Sequence, residues 1–126
     1  MDEQPLLNVS SDSSLGKVEI APEVIEVIAG IATTEVEGLY AMRGNFASGV
    51  AEKLGKKDHK KGVRVELTES GIVIDLYVIL NFGVSIPKVA GEIQSNIRDS
   101  LKYMTALKID EINVHVVGIN MEDKNE

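Results

Sequence analysis

Cysteine and tryptophan are absent from this 126-residue chain. Without cysteine there are no disulfides, no thiolate metal sites and no cysteine nucleophile. Absence of cysteine also fits a reducing cytosol. Aromatic residues make up only 4% of the chain, so Val, Ile and Leu must fill the interior and little is left for stacking nucleic-acid bases. Long apolar runs are missing too. The longest candidate, from Ile72 to Phe82, is interrupted by Asp75 and Asn81 and falls well short of the ~20 residues that span a bilayer. The start of the chain carries Asp2, Glu3 and Asp12 where a signal peptide would need a basic end and an apolar stretch. Positive charge is scarce, and the formal net charge is -7, which disfavours nucleic acid and anionic membrane unless the basic residues are segregated. Together these features point to a soluble, cytoplasmic protein.

What is present is enough apolar material, 44% of residues, for one packed domain of moderate size. Residues 1–15, with the Ser-rich run at positions 10–14, read as a flexible tail, and 120–126 as a shorter one. The single domain between them spans 16–119.

Val18 and Ile20 alternate with charged neighbours as in a short strand, and Pro22 suits the first turn of a helix, where no amide hydrogen is needed. Val24, Ile25, Ile28, Ile31 and Ala32 then follow helical spacing. Residues 36–42 read as a short strand or an extended turn. Phe46, Ala47, Val50, Ala51 and Leu54 suggest a short amphipathic helix closed by Gly55. Val63, Val65 and Leu67 alternate with polar residues, and Glu69-Ser70-Gly71 makes a hairpin turn. On the next strand Ile72, Ile74, Leu76, Val78 and Leu80 share one face. The other face, Val73, Asp75, Tyr77, Ile79 and Asn81, is too apolar for free contact with water and calls for cover by another element or subunit. Ile86, Ala90, Ile93, Ile97, Leu101 and Met104 mark the longest helix, and Ile112, Val114 and Val116 a last strand. The order β-α-β-α-β-β-α-β implies an α+β fold with a largely antiparallel sheet against helices.

Candidate functional residues are few. Lys53, Lys56, Lys57, Lys60, Lys61 and Arg64 place six of the chain's 13 basic residues within 12 positions. Such a cluster suits phosphate groups, lipid headgroups or an acidic partner. A solvated loop is the blander explanation of the same charges. The Gly49 to Gly55-Lys56 stretch resembles a phosphate loop but has five residues between the glycines instead of four, and Lys57 stands where Ser or Thr is required. His59 and His115 are the only histidines, and neither lies in a recognisable metal or catalytic constellation. Asp75 is unusual within an apolar strand. It suits a polar partnership with Tyr77, or a subunit contact, better than catalysis, because no base or nucleophile is paired with it. Val73, Asp75, Tyr77 and Ile79 are the candidate self-association residues.

Several separated motifs occur in a specific order: Gly16-Lys17-Val18-Glu19-Ile20-Ala21-Pro22-Glu23-Val24, Val36-Glu37-Gly38-Leu39, Ile74-Asp75-Leu76-Tyr77-Val78, Ile86-Pro87-Lys88-Val89-Ala90 and Asn113-Val114-His115-Val116. In these the chain resembles the alkaline shock protein family of Gram-positive bacteria, and most of all its YqhY-type branch. The resemblance implies a non-enzymatic cytosolic protein of cell-envelope homeostasis, without a cofactor, metal or catalytic residues. It implies self-association into a homo-oligomer and placement near the membrane through an anchor protein. For the YqhY-type branch it also implies a link to fatty-acid synthesis through acetyl-CoA carboxylase. A nucleic-acid-binding domain using the lysine-rich loop is the alternative from another class.

Overall fold

The computed structural model describes residues 6–10, 13–43 and 62–121. The helix expected from Phe46 to Leu54 and the five clustered lysines fall outside the described residues.

The chain opens with β1 (Leu7–Asn8), which pairs antiparallel with β2 (Glu19–Ile20), Leu7 opposite Ile20. Both apolar side chains pack against the main core, although β1 lies in the stretch expected to be a tail. Helix α1 (Pro22–Thr34) begins with Pro22 in its first turn and buries Ile25, Ile28, Ala29, Ala32 and Thr33. Thr33 returns its hydroxyl to the Ala29 carbonyl at 2.7 Å, so its polar atom is satisfied inside the helix. Val24 and Ile31, expected in the core, are each 39% exposed.

Strands β3 (Leu39–Met42), β4 (Val63–Thr68), β5 (Gly71–Asn81) and β6 (Ile109–Asn120) form one sheet with β5 in the middle. β4 lies antiparallel along the first half of β5, from Thr68 opposite Gly71 to Val63 opposite Leu76. β3 lies antiparallel along the second half, with Met42 opposite Val78 and Leu39 opposite Leu80. The two are end-to-end halves of a single edge. Tyr77 holds the seam: its amide donates to the Gly62 carbonyl at 2.9 Å, and its carbonyl accepts from the Arg43 amide at 2.8 Å. The chain thus leaves the sheet after Arg43 and re-enters it at Gly62, at the same point.

β6 runs parallel to β5 along its full length. Parallel neighbours need a crossover, and α2 (Ile86–Thr105) provides it. Ser85 caps this helix by accepting from the Lys88 amide, Pro87 sits in the first turn, and Ala106 closes it in the left-handed region at φ 61°. Its buried stripe is Val89, Ile93, Ile97, Leu101 and Thr105. Ile86 and Met104, expected on that stripe, are 42% and 62% exposed. Ile86 lies three residues before Val89, about 60° around the helix from it, and Met104 lies next to Thr105, about 100° around from it.

Helix α1 packs on β3 and β4, and α2 packs on β6 and on α1. Both therefore cover one face of the sheet, where Ile72, Ile74, Leu76, Val78 and Leu80 are buried as their alternation requires. The result is the expected α+β architecture, an open sheet on helices, with β5–β6 the one parallel pairing among the described residues. No helix among the described residues is long and apolar enough to cross a membrane.

Candidate functional site: the outer face of the sheet

Alternation along β5 sends Val73, Asp75, Tyr77 and Ile79 to the face opposite the helices, where all four are half-buried. Neighbouring strands complete the surface. Arg64 and Glu66 of β4 stand opposite Asp75 and Val73. Asn113 and His115 of β6 stand opposite Asp75 and Tyr77 on the other side. Gly118 lies opposite Ile79, and a Cβ there would come within 3.4 Å of the Ile79 side chain, so the glycine lets the isoleucine lie close to the neighbouring backbone.

The polar centre of this face is Asp75. Its Oδ1 accepts a hydrogen bond from His115 Nε2 at 2.8 Å and one from Asn113 Nδ2 at 3.3 Å. Asn113 also reaches Glu111 Oε1 at 3.3 Å. The Asp75 side chain is 20% exposed and that of His115 43%, so the pair lies at the boundary of the surface and is wetted from the imidazole side. A neutral imidazole donates here as a hydrogen bond, and a protonated one adds a charge pair. The Tyr77 ring stacks on His115, with centroids 4.7 Å apart and planes 16° apart. That separation is the ~4.8 Å spacing of adjacent strands, so the stack follows directly from the parallel register.

Asp75, read from the sequence as a polar partner of Tyr77 or a subunit contact, is hydrogen-bonded within the chain by His115, which Tyr77 flanks. In the sequence His115 stood in the motif Asn113-Val114-His115-Val116 but had no identifiable side-chain partner. The strand–helix–strand order of β5, α2 and β6 was the signal that places it, because a parallel β6 beside β5 brings the two segments together. Arg64, the one member of the basic cluster among the described residues, is exposed in the same row as Asp75 and Asn113. Lys53, Lys56, Lys57, Lys60 and Lys61 belong to the segment that departs and returns beside Tyr77. No group of three or more metal-ligating side chains occurs among the described residues. What the face offers chemically is recognition: half-buried apolar side chains, a stacked aromatic pair and a carboxylate anchored among them.

Residues 10–121 match the alkaline shock protein 23 family, described as having a cell envelope-related function, and the chain belongs to that family. It is 58% identical over 125 residues to the uncharacterized protein YqhY of Bacillus subtilis, covering 98% of this chain and 93% of that one. It is 37% identical over 109 residues to the uncharacterized protein Spy1535 of Streptococcus pyogenes, covering 86% of this chain and 82% of that one. A stress response regulator gls24 homolog of Streptococcus pyogenes is 30% identical over 130 residues, spanning the whole of this chain and 73% of its own. No solved structure matches the chain.

Proposed function

We propose that this protein is a non-enzymatic interaction module of cell-envelope stress regulation that works through the outer face of its sheet. The observation that carries this reading is the row Val73–Asp75–Tyr77–Ile79, half-buried on a face that, among the described residues, neither α1 nor α2 covers. Apolar strand surface of this kind is normally covered or blunted. The anchored Asp75–His115 pair gives the face a polar reference point that fixes how a partner seats. Family membership supports the envelope setting, and the gls24-type relatives are named as regulators.

The finer reading comes from the resemblance to the YqhY-type branch. The face, together with the lysine-bearing segment beside it, engages acetyl-CoA carboxylase and so adjusts the fatty-acid supply of the envelope. The protein does this from the cytoplasmic side, held near the membrane by a partner. Affinity purification of the full chain from its native host, with mass spectrometry, tests both levels. A folded Tyr77→Ala/Ile79→Asp variant is expected to lose the specific partners, a carboxylase subunit among them. An unchanged partner set would exclude the outer face as the working surface. Recovery of nucleic acid with a steep salt dependence would favour the alternative class instead.

A further inference from the structure

Strand β6 ends the sheet. Among the described residues β5 is its one strand partner, so its outer edge is open along 12 residues. Sheet edges are normally blunted by charge, proline or interruption. The β3/β4 edge is interrupted at its seam and carries Arg64 and Glu66. β6 has Asp110 and Glu111 at its start and nothing of the kind afterwards: Ile112 to Asn120 contains no carboxylate, lysine, arginine or proline.

Backbone direction shows what this edge offers. The Tyr77 amide and carbonyl point to the β3/β4 side, toward Gly62 and Arg43. Alternation turns the main-chain groups of Leu76 and Val78 the other way, to β6. Leu76 stands beside Val114, and a residue in a parallel ladder bonds the two neighbours of its partner, here Asn113 and His115. The main-chain groups of Ile112, Val114 and Val116 therefore point out of the sheet. The Ile112 carbonyl bears this out, because it accepts the Gln94 side-chain amide from α2 at 2.9 Å. Among the described residues no such cover reaches Val114 or Val116. His115, between them, lies on the outer face. Its ring stacks on Tyr77 at 4.7 Å, one strand spacing, so the stack runs across the strands and the second side of the imidazole faces the edge.

We propose that the β6 edge pairs antiparallel with the β6 edge of a second copy, on a two-fold axis at His115. This goes beyond the outer-face reading, because it joins two sheets edge to edge instead of covering either face. Val114 of each chain exchanges two main-chain hydrogen bonds with Val116 of the other. His115 faces His115 of the second copy in the close pair between them, and two Tyr77–His115 stacks meet ring to ring. The fit argues for a second copy: the same two valines supply every donor and acceptor, as a two-fold interface requires. Charge fixes the direction. A parallel pairing would set Asp110 beside Asp110 and Glu111 beside Glu111, whereas the antiparallel one carries each acidic start toward the uncharged Ile119 and Asn120 of the other strand.

Amide hydrogen exchange, followed by NMR on the full chain from micromolar to millimolar concentration, reads this pairing. The Val114 and Val116 amides are expected to gain about tenfold protection as concentration rises, while the His115 amide, bonded to β5, is protected throughout. Val116→Pro deletes one outward amide and spares the ladder to β5, a place where an edge strand accepts proline. It should abolish the gain and keep the His115 amide protected. His115→Lys tests the same contact without a proline: it keeps a donor for Asp75 but sets two cations face to face across the axis, so the gain should again be lost. Fast exchange at Val114 and Val116 at every concentration, in a particle of more than one chain, overturns the edge pairing and leaves the outer face as the contact. A gain in protection that both variants retain, or a mass of one chain throughout, overturns it outright.

Discussion

Asp75 lies on a strand whose other outward residues are mostly apolar, and it is held there by two donors from β6. Removing the carboxylate leaves His115 and Asn113 without their shared acceptor. We expect Asp75→Ala to cost about 1–3 kcal/mol in urea denaturation, the usual range for an orphaned partly buried donor. Asp75→Asn, which keeps one carbonyl oxygen, should cost less. His115→Ala should sit at the low end, because the ring is 43% exposed and water replaces part of what it loses. A double-mutant cycle on Asp75 and His115 should give a coupling of at least ~0.5 kcal/mol. Strictly additive losses would mean that the 2.8 Å contact adds nothing to stability. The oddness of Asp75 was legible from its place in an apolar run. Its partner was not, because His115 lies 40 positions away and only the parallel register brings it alongside.

Elements were legible in proportion to how strictly their period was kept. The inward face of β5 alternates without a break over five residues and is buried as read. The stripe of α2 was correct at Ile93, Ile97 and Leu101 and wrong at Ile86 and Met104. At helix ends a three-residue step and a four-residue step are equally available, and apolarity alone does not choose between them. Ile93→Ala and Ile97→Ala should each cost ~2–5 kcal/mol, a large part of a typical ~5–15 kcal/mol total. Met104→Ala and Lys102→Ala should cost far less. Equal midpoints for Ile93→Ala and Met104→Ala would mean the buried face of α2 is assigned wrongly. The seam between β3 and β4 left no periodic trace, since 20 positions separate Met42 from Val63. Gly62 reveals its cost. It has φ +81°, and a Cβ there would lie 2.9 Å from the Arg43 carbonyl oxygen, a backbone atom with little room to yield. Gly62→Ala is therefore expected to destabilise by more than the ~1–2 kcal/mol of the left-handed conformation alone. Hydrogen exchange at the Arg43 and Tyr77 amides should speed up, because those bonds close the seam. Unchanged protection at both amides would show that the seam tolerates a side chain.

For the whole molecule the outer face is also the expected self-association surface, so a second copy and the partner proposed for that face compete for it. Net charge is -7 per chain, so like charges oppose association. At physiological salt this repulsion is screened beyond ~8 Å, so contacts at the interface itself decide the outcome. On the face, Val73, Tyr77 and Ile79 supply apolar area, while Arg64 stands in the same row as Asp75 and next but one to Glu66. A two-fold arrangement lets the Arg64 of each chain meet an acidic residue of the other, so the one surface complements itself. We expect light scattering at micromolar concentration to give more than one chain per particle. Moderate salt should change the mass little, since apolar burial strengthens as charge pairing weakens. Tyr77→Asp sets a second carboxylate beside Asp75 and removes the aromatic stack on His115. It should return the protein to a single-chain mass with its helical circular dichroism retained. A wild-type mass of one chain at every concentration would mean that a different protein, not a second copy, covers this face.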